Sequence, residues 1–159
     1  MPADTTALDT LNIRPASEAD FPLLARMNRE LIEDEGHRNP MTVPQLEARF
    51  RRFVGEEGYR VDVLLLDGEI AGYATHRYEP DLAEPSGQRV FLRQFYIARG
   101  KRGGGLGRRA LELLIDARFA DGDRIFLDVM ETNPGGKAFW SRTAFTPYAT
   151  TMERVVRKP

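Results

Sequence analysis

The 159-residue chain contains no cysteine. That absence excludes disulfides, thiolate metal sites and a cysteine nucleophile. Histidine is nearly as scarce, with only His37 and His76. No cluster of His, Asp or Glu has ligand spacing, so no metal is expected. No run approaches the roughly 18 apolar residues of a membrane-spanning helix, so no membrane association is expected. The opening MPADTTALDTLN has neither the basic nor the apolar region of a secretory leader, and a reducing cytoplasm is the expected compartment. Excess charge of one sign is also missing. Lys and Arg total 23 against 24 Asp and Glu, a formal charge of -1. Dedicated nucleic-acid-binding domains are usually basic, so no nucleic acid is expected as a partner.

What remains is a hydrophobic content of 42% with 30% charged residues, suited to a single globular domain with its own core. Residues 1–10 are polar and aperiodic and are expected to be a flexible tail, with one domain over 11–159. LNIRPA reads as a strand ended by Pro15. The next segment opens with Ser17 as N-cap candidate and carries Leu23, Leu24, Met27 and Leu31 at helical spacing before Gly36. A second helix is capped by Thr42, with Pro44 in its first turn and Leu46, Phe50, Phe53 and Val54 on one face. YRVDVLLLDGEIAGYATHRYE predicts a hairpin turning at Asp67-Gly68. RVFLRQFYIA is rich in β-branched and aromatic residues and predicts a central strand.

After it comes ARGKRGGGLGRRALELL, Ala98 to Leu114, with five cations, five glycines and no acid before its apolar-periodic end. Leu106, Ala110, Leu113, Leu114 and Ala117 would share one helix face. RIFLDVM predicts another strand, NPGGKAFWSRTA a short helix, and FTPYATTMERVV one or two final strands.

The glycine loop is the strongest chemical signal. A helix N-terminus leaves about four N–H groups unpaired and carries positive partial charge, so glycines there let a phosphate approach bare backbone. A Walker loop needs Gly-Lys-Ser/Thr, which is missing. Gly105-Leu106-Gly107-Arg108-Arg109-Ala110 fits G-x-G-x-x-A, but a charged loop separates it from the preceding strand and the remaining chain is short for a dinucleotide-binding fold.

The strand, the Arg102-Gly103-Gly104-Gly105-Leu106-Gly107 signature and the following helix resemble the GCN5-related N-acetyltransferase (GNAT) superfamily. IFLDVMETNPGGKAFWSRTAF is similar to that family's strand, Asn and helix with an aromatic pair. The resemblance implies an α/β (α+β) fold: a mixed, mostly antiparallel sheet of six to seven strands, about four helices and splayed central strands. It implies acetyl-CoA as donor, held by Phe95, Tyr96, Ile97, Arg102, Gly103, Gly104, Gly105, Leu106, Gly107, Arg108, Asn133, Lys137, Phe139 and Trp140. The pantetheine arm would pair with the strand at Phe95–Ile97, and the Ile97 N–H would face the thioester carbonyl.

The implied activity is direct acetyl transfer to a primary amine of a small molecule or peptide in a ternary complex. A catalytically weak acyl-CoA-binding sensor is the alternative, and homodimers are expected by analogy. Two departures from the family pattern matter. Trp140 stands where a tyrosine acid is common, leaving Tyr148 and Tyr96 as acid candidates. Arg93 and Gln94 stand where a strand carboxylate is common, and Gln94 is expected to orient water or substrate. Base candidates are Glu33, Asp34 and Glu35 at the first helix end, His37 and Glu131; His76 is expected to be structural.

Overall fold

The computed structural model describes residues 9–159, so residues 1–8 of the expected tail lie outside it. Thr10 is no tail residue: its N–H donates to Asp67 Oδ1 and its carbonyl accepts from the Asp67 N–H. Chain order is β1 (Leu11–Pro15), α1 (Phe21–Asp34), α2 (Val43–Gly55), β2 (Arg60–Leu66), β3 (Glu69–Pro80), β4 (Gln88–Ile97), α3 (Leu106–Arg118), β5 (Ile125–Phe126) and α4 (Pro134–Arg142). The five strands form one sheet in the order β1-β2-β3-β4-β5, antiparallel except for the parallel β4–β5 pair.

Local chemistry sets the boundaries. Ser17 does not cap α1 directly; it caps a short 3-10 turn, Glu18–Asp20, that leads into it. Thr42 and Gln45 cap α2 reciprocally. Asp67 and Gly68 both have positive φ, 50° and 84°, which a two-residue hairpin turn of matching twist requires.

The sheet is packed on both faces. On one, Phe50 of α2 lies at the centre, its ring 5.8 Å from Phe21, 6.0 Å from Phe53 and 5.4 Å from Tyr73. On the other, Ala110, Leu111 and Leu114 of α3 are fully buried with Leu64, Ala74 and Leu92. Three expected core positions shift. Val54 is exposed, Leu111 takes the deep place expected for Leu113, and Ala117 is exposed. A one-residue change of phase in a 3.6-residue period does this without altering the helix itself.

The strand count also falls short of the six to seven expected. Phe145 to Val156 forms no strand; Tyr148, Met152, Val155 and Val156 are exposed. A strand needs a partner ladder, and β-branched content alone does not supply one. Among the described residues, no helix is long and apolar enough to cross a membrane.

On the α3 face a buried charge cluster ties β2 and β3 to that helix. Asp62, 2% exposed, accepts from Arg118 Nη2 at 2.8 Å and shares a 2.8 Å hydrogen bond with His76 Nε2. Burial alone would raise the Asp62 pKa, but the bonds from His76 and Arg118 prevail and hold it at about 2. His76 thus occupies a structural place, its ring edge-on to Phe119 at 5.2 Å.

Because the folded pKa of Asp62 is depressed, its contribution is present above the unfolded value and is lost as pH falls. Removing it should flatten the acid limb. Denaturant titrations of wild type and Asp62→Asn between pH 6 and pH 2 are expected to differ most at pH 6, and a wild-type loss of about 2 kcal/mol from this group should vanish in the variant. A second expectation comes from Ala144, which has φ +70° at the end of α4. Left-handed backbone disfavours a side chain by roughly 1–2 kcal/mol, so Ala144→Gly should stabilise by about 1 kcal/mol, read as a rise in Tm.

Candidate functional site

β4 and β5 touch only at Val90↔Ile125 and Phe91↔Phe126. Beyond Phe91 the pairing stops, and no other strand among the described residues takes the edge of β4. The Ala98 N–H donates back to Ala71 O on β3 at 2.8 Å. By antiparallel alternation, Phe95 and Ile97 turn their N–H groups to the free edge. On the other edge β3 closes tightly, since a Cβ on Gly72 would stand 2.0 Å from Tyr96 O. Only glycine fits there, and Ile97, paired with Gly72, is fixed in height. An extra residue in β4, a bulge between the Thr75↔Gln94 and His76↔Leu92 pairs, bends the strand just before this edge.

The glycine loop follows directly. Gly103, Gly104 and Gly105 have φ of +82°, +95° and +82°, and a Cβ on any of them would meet no protein atom within 4 Å. Their glycine identity answers backbone conformation, and the space above them is open. Successive turn amides of this kind make an anion-binding concavity, and Gly105 is the N-cap of α3. Gly107 is different: a Cβ there would lie 3.1 Å from Phe139 of α4, so it permits helix packing. Lys101 and Arg108 are exposed and form no ion pair among the described residues. Open amides at a helix N-terminus beside free cations suit a pyrophosphate, and a free strand edge suits an amide-bearing arm, so the residues present fit coenzyme A.

Arg102 has another task. Its Nε donates to Ile97 O at 2.8 Å, Nη2 bonds Asp34 Oδ2 at 2.6 Å, and the guanidinium lies 5.2 Å from the centre of the Tyr96 ring. Arg99 bonds Asp34 and Glu33. Burial raises the Asp34 pKa, but these two arginines outweigh it and the net shift is downward. The C-terminal end of α1 is thereby strapped to the end of β4. Tyr96 OH donates to Glu30 in the same strap, and burial together with that carboxylate pushes the phenol to about 12.

The residue just past the strapped acids is Glu35, the C-cap of α1. The Thr132 hydroxyl, in the turn after β5, donates to Glu35 O and Gly36 O, so the end of α1 spans from β4 to the far side of the opening. Glu35 itself forms no ion pair among the described residues, and burial followed by the charge of Asp34 raises its pKa. The other base candidates sit differently. His37 is exposed, and its Nδ1 accepts the Asn39 N–H. Glu131 pairs with Lys137 at 2.6 Å, which engages two expected site residues with each other.

The remaining expected residues are placed as follows. Gln94 is 8% exposed and its Oε1 accepts from Thr75 at 3.1 Å. Asn133 caps α4 through the Gly136 N–H. Phe139 stacks on Phe95 at 6.1 Å, and Trp140 packs between Phe95 at 5.7 Å and Phe145 at 5.2 Å. Tyr148 is 82% exposed, edge-on to Phe126. No group of three or more His, Asp or Glu is arranged to hold a metal among the described residues. The reading of the sequence did not reach Arg99, Glu30 or Thr132 as members of the site. Their roles are tertiary contacts over long sequence separations and leave no local pattern.

This layout is shared with known proteins. The family model described as "Acetyltransferase (GNAT) family" matches residues 24–145. No curated protein matches the chain. Among solved structures, the tetramutant of the BH1408 protein from Bacillus halodurans is 26% identical, covering 91% of this chain and 99% of that one with a TM-score of 0.75. A predicted acetyltransferase from Clostridium acetobutylicum with acetyl-CoA is 16% identical, with 92% and 96% covered and a TM-score of 0.66. The aminoglycoside N-acetyltransferase AAC(6')-Iy in complex with CoA is 12% identical, with 94% and 97% covered and a TM-score of 0.72. With most of its length, from α1 through α4, matched by that family model, the chain belongs to the GNAT acetyltransferase family.

Proposed function

We propose that this protein transfers the acetyl group of acetyl-CoA to a primary amine by direct attack within a ternary complex. The observation that carries the reading is the free outer edge of β4, ending at Ile97 and joined through the short charged turn Ala98–Arg102 to three left-handed glycines at the start of α3. The pyrophosphate rests on the N–H groups of Gly103 to Arg108, with Lys101 and Arg108 adding charge. The pantetheine arm pairs along Phe95–Ile97, and the Ile97 N–H receives the thioester oxygen as it gains negative charge. Arg102 acts as a brace, holding the Ile97 carbonyl and Asp34 together so that this N–H does not drift. The absence of cysteine agrees with a path that has no acyl-enzyme.

Glu35 is the best-placed base. It is half-buried, without an ion pair among the described residues and raised in pKa, where Asp34, Glu33 and Glu30 are committed to arginines or to Tyr96. A carboxylate raised in pKa is the stronger base and takes the proton that the acceptor nitrogen gives up before or as it attacks the thioester. The departing thiolate has the acidity of an ordinary thiol, about 8.5, and does not require a strong acid. Tyr96, bound to Glu30 and shifted to about 12, is a poor proton source.

Two experiments test this. Gly105→Glu puts bulk and negative charge on the loop, and calorimetry is expected to show acetyl-CoA affinity reduced at least 100-fold with the circular dichroism spectrum unchanged. Unaltered affinity would remove the cradle assignment. Glu35→Gln is expected to lower kcat by roughly 100-fold and to erase the acidic limb of the kcat/KM–pH profile, leaving the KM for acetyl-CoA in place. Acetyl-CoA binding without thiol release across an amine panel would instead favour the sensor reading.

A further inference from the structure

On the α1–α2 face, close to the end of β4, several polar groups are buried without the partners that such groups require. Arg49 projects from α2 over the Phe53 ring, 5.1 Å from its centre. Its Nη2 donates to Asn28 Oδ1 at 2.7 Å, while its Nε is buried and unpartnered. No carboxylate lies within 4 Å of Arg49 among the described residues, and Glu57 acts on it only weakly. Burial, then the nearby Arg93, lowers its pKa. Arg93 stands over the same Phe53 ring at 5.0 Å and donates to Tyr59 OH.

Asn28 is 1% exposed, and because its Oδ1 accepts from Arg49, the unpartnered atom is the Nδ2 donor. Tyr73 is fully buried, its hydroxyl unpartnered. Burial keeps the Tyr73 phenol neutral, and the charged groups that act on it include Arg49 and Glu35, the latter proposed above as the base. Buried polar groups are nearly always hydrogen-bonded and buried charges paired. Here three unused donors and an uncompensated guanidinium come together.

We propose that Arg49, Asn28 and Tyr73 bind a carboxylate of the acceptor, making the substrate class amines that carry a carboxylate a few bonds from the nitrogen, as amino acids do. This rests on the acetyltransferase reading above and deepens it. A carboxylate offers two oxygens with about four acceptor sites, which matches the Arg49 Nε–H, the Asn28 amide and the Tyr73 hydroxyl and supplies the missing negative charge. A water molecule would satisfy the donors and leave the charge uncompensated. The placement relative to the reaction is favourable. Tyr73 pairs directly with Tyr96 across β3 and β4, rings 6.1 Å apart, and Tyr96 precedes Ile97. A carboxylate held at Tyr73 leaves the rest of a short molecule reaching toward Ile97 and Glu35. Arg93, exposed beside the cluster, adds a second cation that draws the anion in.

The test compares amino acids with their carboxamides and with the corresponding decarboxylated amines, following thiol release from acetyl-CoA. The carboxylate form is expected to have a KM at least tenfold lower than its carboxamide. Tyr73→Phe and Arg49→Met should raise the KM for the carboxylate form at least tenfold and that for the carboxamide much less, with the KM for acetyl-CoA unchanged. Arg49→Lys should restore part of the loss. Thermal melting with the same amino acids in place of turnover should show a Tm rise in wild type that Tyr73→Phe abolishes, which keeps this inference testable even if no acetyl transfer is detected. Equal KM values for carboxylate and carboxamide, or variants that weaken both acceptors alike, would overturn it. Transfer to amines with no carboxylate preference would leave the acetyltransferase reading intact and remove only this one.

Discussion

The parting of β5 from β4 after Phe91 is the constraint on which the rest of the site depends. β5 is only two residues long, and both pair, while β4 runs on for six residues past Phe91 to Ile97. The backbone groups of β4 beyond that point have lost a protein partner on one side, and a sheet edge of that kind is a template for another extended chain. Its position is not adjustable. Gly72 lets the Tyr96 carbonyl come so near that no side chain could replace it, and the bulge at Arg93 turns the strand before Ile97. The free edge, the thioester-facing amide and the start of the glycine loop therefore share one rigid frame.

Around that frame, charge is divided between tasks. The segment between Arg93 and Arg109 has six cations, and it looks in sequence like one basic patch. In the fold they separate. Arg99 and Arg102 turn back to Asp34, and Arg109 reaches the Asp9 carbonyl. Only Lys101 and Arg108 keep their charge for the loop, while Arg93 faces the opposite side of the sheet with Arg49 and Phe53. The acids of α1 divide similarly, with Glu35 left over. A carboxylate that lacks an arginine in a segment rich in them, and is pulled from water, is raised toward the range where a base is useful.

Features set by local rules were readable from the sequence. The Asp67-Gly68 turn, the Thr42 cap and the Gly103–Gly105 loop each depend on residues within a few positions, and each stands where the sequence placed it; the Gln45 half of the cap emerged only in the fold. The closing strands failed because FTPYATTMERVV has strand-forming residues but no neighbouring ladder. Asn28 and Arg49 escaped for the opposite reason. Both lie on helix faces whose period reads as apolar, one turn from Leu24 or Phe53, and a polar residue at such a position looks like solvent exposure until the partner helix is in place. Glu35 could be named as a candidate, but its distinction from Glu33 and Asp34 came from which arginine each one met.

The two faces of the sheet handle buried charge in contrasting ways, and the contrast bears on function. Below, Asp62 gathers His76 and Arg118, and each charge has an answering one at hydrogen-bond distance. Above, Arg49 rests on an amide and a ring with a bare Nε, and Tyr73 and Asn28 face it with donors unspent. The same chain that completes one polar cluster leaves the other incomplete at a comparable depth, beside the end of β4. An unmade buried hydrogen bond weakens a fold by about 1–3 kcal/mol, so a cluster of them persists most readily where a ligand completes it. Places where a sequence departs from full satisfaction tend to be places of function, and here the departure lies next to Tyr96 and Ile97, on the side of the sheet opposite α3.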